Sequence, residues 1–282
     1  MTATSARPWP RRAPEQERED TVEIIILPDA AEVGRVAGAK IASIVAGRPQ
    51  SVIGLATGSS PQGIYEELAR RVQAGSLSFA EARGFALDEY VGIPADHPES
   101  YASVIAREVV APLGFDPSRV RVPDGRAADL AAAAKEYDRA IAEAGGIDVQ
   151  ILGIGSNGHI GFNEPTSSFA SRTRIKTLAP KTRQDNARFF DSPDQVPTHC
   201  MTQGLGTILE ARELVLVAQG AGKADAVAAA VEGPLSAFVP GSALQLHEHA
   251  TVVVDEAAAS GLRLSDYYRY TYDNRPDWQR FE

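Results

Sequence analysis

His159 and Glu164 stand close together in residues 148–165, DVQILGIGSNGHIGFNEP, with Asn157 and Asn163 beside them. These side chains could move protons. A histidine gains and loses its proton near neutral pH, and a carboxylate within reach orients it and favours its charged form. The bland alternative is a loop histidine satisfied by backbone groups, and the motif alone leaves both open. His159 and Glu164 do not have the helical HExxH spacing of a zinc site, and no cysteine cluster stands nearby, so no metal is expected. Gly153, Gly155 and Gly158 match GxGxxG, but Gly161 and Pro165 follow at once and leave no room for the helix a dinucleotide needs. If these residues form a site, its chemistry is proton transfer, and the nucleotide reading is rejected.

Several elements must position these residues. Residues 147–152 read as a buried strand of a parallel sheet, so the glycines form a turn at its carboxyl end, where open α/β sheets bind ligands. Residues 22–27 and 51–56 are two more strands, joined by a helix whose apolar face is Val33, Val36, Ala37, Ile41, Ile44 and Val45. After the second comes Thr57-Gly58-Ser59-Ser60-Pro61, with Ser60 expected as N-cap and Pro61 as the first residue of a helix carrying Ile64, Leu68 and Val72. Backbone N–H groups and hydroxyls at such a start can cradle a phosphate; a plain N-cap is the commoner role in general, but the glycine and clustered hydroxyls at a strand's carboxyl end favour an anion. Residues 84–87 form another strand, and Asp88-Glu89-Tyr90 reads as a turn on the same rim. Further strands are expected at 120–122, 213–218 and 250–255, an alanine-rich helix at 127–144, and a helix opened by Lys223. Residues 166–197 hold six cations and little continuous apolar sequence, as a mobile, partly helical lid would, centred on 178–200. The fold expected is α/β: a doubly wound, mostly parallel, Rossmann-like sheet with helices on both faces.

Composition bounds the class. The 282 residues, 44% hydrophobic and 23% charged, suit one globular domain from residue 21 to 282, preceded by a proline- and charge-rich tail at 1–20 with little to bury. A formal charge of −9 argues against nucleic acid as a partner, while leaving room for a small anion held by local cations. The single Cys200 reads as a buried small hydrophobe and permits no internal disulfide. With no run long enough to span a membrane and no apolar signal-peptide core, the expected compartment is the cytoplasm.

GIGSNGHIGFNEP, taken with LATGSSP at 55–61 and FALDEYVGIP at 85–94, closely resembles the glucosamine-6-phosphate deaminase family, also called the glucosamine-6-phosphate isomerases, and the likeness runs from about residue 21 to 270. The resemblance implies cofactor-independent isomerisation and deamination of glucosamine 6-phosphate to fructose 6-phosphate and ammonia, a step of amino-sugar catabolism. It implies that Asp88 is the base moving a proton between sugar carbons, that His159 handles the ring oxygen and that Glu164 supports it. It places the substrate phosphate on Ser59, Ser60, Arg188 and Lys223. Asn157 is a departure: the best-known members carry an aspartate there, and an amide would orient His159 without raising its pKa by charge. Some members are activated by N-acetylglucosamine 6-phosphate, at positions matching Ser167, Ser168, Arg174 and Lys176. The resemblance thus raises an allosteric site and a homo-hexamer, although the C-terminal tyrosine completing that site does not line up with Tyr267, Tyr268 or Tyr270. A 6-phosphogluconolactonase is the alternative enzyme, disfavoured by Phe162-Asn163-Glu164-Pro165. A sugar-phosphate-sensing regulator domain is disfavoured by the acidic charge and by a tail too short for a helix-turn-helix.

Overall fold

The computed structural model describes residues 21–276 and 279–281, so the tail expected at 1–20 lies outside the described residues. Ten strands follow in chain order: β1 (Thr21–Leu27), β2 (Val52–Leu55), β3 (Arg83–Ala86), β4 (Asp88–Tyr90), β5 (Val120–Arg121), β6 (Val149–Leu152), β7 (Arg174–Thr177), β8 (His199–Thr202), β9 (Leu214–Ala218) and β10 (His249–Asp255). Every residue of β2, β6 and β9 is buried, as parallel strands covered on both faces must be. Seven strands pair in parallel in the order β1-β10-β9-β6-β2-β3-β5. From β2 the chain builds outward through β3 to β5, and from β6 it builds the other way through β9 and β10. The winding therefore reverses between β2 and β6, and their carboxyl ends diverge around a crevice, the general binding position of open α/β sheets.

The helix Ala30–Gly47 begins at Asp29, whose side chain accepts from the Glu32 amide at 3.0 Å, and it buries Val33, Val36, Ala37, Ile41 and Val45. It crosses the helix Gln62–Gln73 at two glycines so closely that a Cβ on Gly34 would lie 2.6 Å from the Gly63 carbonyl carbon. Ile64 and Leu68 are buried from this second helix, each contributing about 1.5–3 kcal/mol. The N-cap expected at Ser60 does not form. Pro61 flanks the first helical residue in α-helical geometry, no side chain caps it, and the Pro61 carbonyl accepts from Ile64 and Tyr65. The serine hydroxyls beside it are left facing a cavity rather than the helix end.

A second sheet, antiparallel in the order β4-β8-β7, corrects the turn expected at Asp88-Glu89-Tyr90. The main sheet continues as far as the Leu87 amide, which donates to the Leu55 carbonyl at 2.9 Å. The next residues then swing away to pair with β8. Under this small sheet Tyr90, Ile93, Phe162, Leu178, Val196 and Cys200 form a separate apolar cluster, and burial pushes the Cys200 thiol well up, in keeping with an inert packing role. The segment expected as a lid, 178–200, connects β7 to β8 through the helix Pro180–Asn186 and two 3₁₀ turns, Ala187–Phe189 and Pro193–Gln195, and its last two residues, His199 and Cys200, open β8. Among the described residues no helix is long and apolar enough to cross a membrane.

Candidate active site

The turn after β6 is closed by its own backbone: the Gly155 amide donates to the His159 carbonyl and the Gly158 amide to the Gly155 carbonyl, both at 2.9 Å. Gly158 takes φ of 81°, a left-handed conformation that favours glycine. Gly155 is required for a different reason. The His159 ring lies flat against it, and a Cβ there would come within 2.2 Å of Cε1.

Asn157 joins the histidine to the carboxylate. Its Nδ2 donates to Glu164 Oε2 at 2.8 Å, and its Oδ1 lies 2.6 Å from His159 Nδ1 and 3.2 Å from the His159 amide. An ionised carboxylate only accepts, so the amide must turn its Nδ2 to Glu164 and its oxygen to the ring, and Nδ1 must then carry a proton. In the neutral ring Nε2 is therefore the free acceptor. Burial lowers the His159 pKa, and the charge of Glu164, with Nδ1 3.7 Å from Oε2, opposes that shift. Glu164 is held in turn by the Thr182 hydroxyl at 2.6 Å and the Ala179 amide at 3.0 Å, both from residues 178–200.

Asp88 opens β4 with 6% of its surface exposed. Burial, seconded by the charge of Glu89, pushes its carboxyl up to about 8, and the nearby Phe162 amide and Thr202 hydroxyl oppose that shift. Glu89 faces the other way and accepts from the Tyr90, Tyr101 and Ala102 amides at 2.8, 2.9 and 2.9 Å, anchoring the helix Tyr101–Ile105. Two adjacent acids thus divide into one that faces the cavity and one that holds the fold.

The cationic end is built by three loops. Gly58, at φ 95°, turns the loop after β2. Arg188 Nη2 reaches Ser59 Oγ at 3.3 Å, and Gln219 Nε2 pins the Ser60 carbonyl at 3.1 Å. Lys223 closes a 3₁₀ turn ahead of the helix Ala224–Val231; its Nζ donates to the Ile154 carbonyl at 2.7 Å, and burial lowers its pKa. Ser59, Ser60, Asp88, His159, Arg188 and Lys223 all line one cavity of about 510 Å³ at the carboxyl ends of β2 and β6. Asn157 and Glu164 are not on that wall and connect to it through His159.

Ser167, Ser168, Arg174 and Lys176 lie outside that cavity. Arg174 Nη2 donates to Ser167 Oγ at 3.2 Å and its Nη1 to Asn163 Oδ1 at 2.8 Å. Ser167 is buried with its hydroxyl on the Glu164 carbonyl at 2.7 Å, whereas Ser168 is exposed. Sequence reasoning missed Tyr101, which lines the cavity and stacks on Phe162 at 6.0 Å, Thr182, whose hydroxyl donates to Glu164, and Thr202, which lies opposite Asp88. Only the antiparallel pairing of β4 with β8 brings Thr202 to Asp88, and nothing in the local sequence signals it.

Residues 29–253 match the family described as glucosamine-6-phosphate isomerases/6-phosphogluconolactonase. A glucosamine-6-phosphate deaminase of Streptomyces coelicolor is 59% identical over 259 residues, which are 92% of this chain and 99% of that protein. The solved structure of a monomeric glucosamine-6-phosphate deaminase superposes with a TM-score of 0.83 at 41% identity, covering 85% of this chain and 100% of the other. A 6-phosphogluconolactonase from Trypanosoma cruzi superposes with a TM-score of 0.65 at 21% identity, over 88% of this chain and 100% of the other, a likeness of fold alone.

Proposed function

The chain belongs to the glucosamine-6-phosphate isomerase/6-phosphogluconolactonase family, and within it we propose that it converts glucosamine 6-phosphate and water to fructose 6-phosphate and ammonia. The observation that carries this reading is one cleft with a cationic, hydroxyl-lined end and, at its other end, a buried protonatable Asp88 and the oriented His159. Arg188, Lys223, Ser59 and Ser60 hold the phosphate, supplying binding energy away from the reacting carbons. His159 exchanges a proton at the ring oxygen through Nε2 as the ring opens, and Asn157 and Glu164 keep Nδ1–H committed so that only Nε2 works. Ionised Asp88 then takes the proton from C2 and returns it to C1. The C1 carbonyl becomes an alcohol and the C2 amine an imine, which water hydrolyses to the ketone with loss of ammonia. We read residues 178–200 as a lid, because Ala179 and Thr182 bind Glu164 while Arg188 reaches the phosphate loop.

Incubation with glucosamine 6-phosphate, without added nucleotide or metal, should release fructose 6-phosphate and ammonia in equal amounts and fail in Asp88→Asn. Hydrolysis of 6-phosphogluconolactone in its place would overturn the reading. Ser167, Ser168, Arg174 and Lys176 are proposed in the same way to take N-acetylglucosamine 6-phosphate in a homo-hexamer, on the strength of Arg174 bridging Ser167 and the loop residue Asn163. Activation lost in Arg174→Ala, with light scattering for the assembly, tests that pair of statements.

A further inference from the structure

Thr202 belongs to neither the motifs nor the cleft wall, yet three elements meet at its hydroxyl. Its residue sits directly opposite Asp88 in the β4–β8 ladder and is completely buried. The Phe162 amide, from the loop that carries His159 and Glu164, donates to Thr202 Oγ1 at 3.1 Å. Gly161, at φ 52°, brings that loop so close that a Cβ there would lie 3.1 Å from Thr202 Oγ1 and 3.5 Å from Asp88 Oδ2. The same hydroxyl also reaches the Gln203 carbonyl at 3.3 Å.

A hydroxyl has one proton to give; the Gln203 carbonyl can take it, and the Asp88 carboxylate lies directly across the ladder on the same side of Gly161. Resting on the assignment of Asp88 as the C2 base, we propose that Thr202 is a positioning residue for that base, its proton donated to the Asp88 carboxylate when Asp88 is ionised and to the Gln203 carbonyl when Asp88 has taken the substrate proton. A hydrogen bond to a charged acceptor is roughly twice as strong as one between neutral groups, so the proton follows the charge. Each half-reaction then leaves no buried donor unpaired, which would otherwise cost about 1–3 kcal/mol. The Phe162 amide stays on the oxygen throughout and fixes Asp88 relative to His159.

The other groups around Asp88 keep their charge through the cycle. Tyr90 from β4, Tyr101 from the helix Tyr101–Ile105, Tyr137 from the helix Leu130–Glu143 and Cys200 from β8 are all pushed upward, above all by burial, and stay neutral. Glu89 is raised by burial but turned away onto three amides, and His159 answers to Asn157 rather than to Thr202. A change at Thr202 therefore reads out on Asp88.

The test compares Thr202→Val, which keeps the shape without the hydroxyl, with Thr202→Ser, which keeps the hydroxyl. Rates of the full chain are followed from about pH 6 to about pH 9, and the acid limb of kcat/KM reports the free-enzyme base. Thr202→Val should lower kcat about 10- to 100-fold at neutral pH with KM within about threefold, and move the acid limb to higher pH, since a donor to the charged form is lost. Thr202→Ser should restore both. A uniform loss at every pH with an unmoved limb, or a serine variant as impaired as the valine, would overturn the proposal. Thr202→Ala serves the same comparison if the valine variant does not fold. Carboxyl ¹³C NMR titration of Asp88 in the free protein gives the same answer without turnover. An inactive wild type, or an active Asp88→Asn, would sink the catalytic reading while leaving the Thr202–Asp88 contact to be judged by that titration.

Discussion

Asp88 shows how a reactive group trades against stability. Its folded pKa, about 8, lies above the ordinary value of 3.8, so the folded chain keeps a proton that the unfolded chain releases. The stability this proton brings is complete below the ordinary value and is lost as pH rises through the folded one. An amide in its place never ionises. Asp88→Asn should therefore melt with the wild type near pH 4 and progressively above it toward pH 8, by several degrees, in paired thermal scans; a gap that shrank with rising pH would contradict the buried, protonated aspartate. Asn157 supports a second prediction. Asn157→Asp places a carboxylate against His159 Nδ1, which should raise the ring pKa by about 1–2 pH units, seen in the ring-proton NMR titration. The variant trades the Glu164 hydrogen bond for repulsion, so an unchanged or lowered value would show that Asn157 does not govern the ring. At this scale the sequence was informative where motifs are contiguous: His159, Asn157 and Glu164 form one chain of contacts within eight residues, 157–164. Thr202 and Thr182 were invisible because their partners are distant in sequence and a threonine carries no signal of its own.

Elements were legible when their period reflected burial. β1, β2, β6, β9 and β10 are runs of apolar residues, and the helix Ala30–Gly47 carries a clean apolar face. The second sheet was not legible, since Asp-Glu-Tyr, Arg-Ile-Lys-Thr and His-Cys-Met-Thr are too short and too polar to read as apolar runs, and only pairing with one another makes them strands. The helix crossing at Gly34 and Gly63 is likewise a property of two elements together. Gly34→Ala must push the helix Gln62–Gln73, and the loop of Ser59 and Ser60 before it, away from the helix Ala30–Gly47. Overpacking of this kind costs about 1–3 kcal/mol, and the displaced Ser59 and Ser60 should raise KM more than they lower kcat. Gly47→Ala is the control, with nothing within 4 Å of its added carbon, and should be neutral or stabilising by up to about 1 kcal/mol in urea melts. Equal losses for the two variants would mean that the crossing does not position the loop.

On the scale of the whole molecule, a chain of net charge −9 gathers four cations, Arg107, Lys181, Arg188 and Lys223, around the cavity where its sheet reverses direction. That point could be foreseen only as the carboxyl ends of strands, because strand order is not written in any one segment. The cavity draws its walls from the loops after β2, β6 and β9 and from residues 178–200, so an anion held there bridges both halves of the sheet and the segment over it. Binding to the folded state alone adds about 2.7 kcal/mol when free ligand is 100-fold above Kd. For a chain of this size that is a rise of roughly 5–10 °C in Tm, at about 2–4 °C per kcal/mol. Fructose 6-phosphate in such excess should give that shift, and Lys223→Met, which keeps the aliphatic stem without the charge, should remove most of it. Because part of the attraction is between a dianion and two cations, Lys223 part-buried and Arg188 exposed, the wild-type shift should also shrink at about 1 M salt, where the screening length falls to about 3 Å. A shift that survived both the substitution and the salt would place the phosphate away from Lys223, the part-buried ammonium that shares this cavity with Ser59 and Ser60.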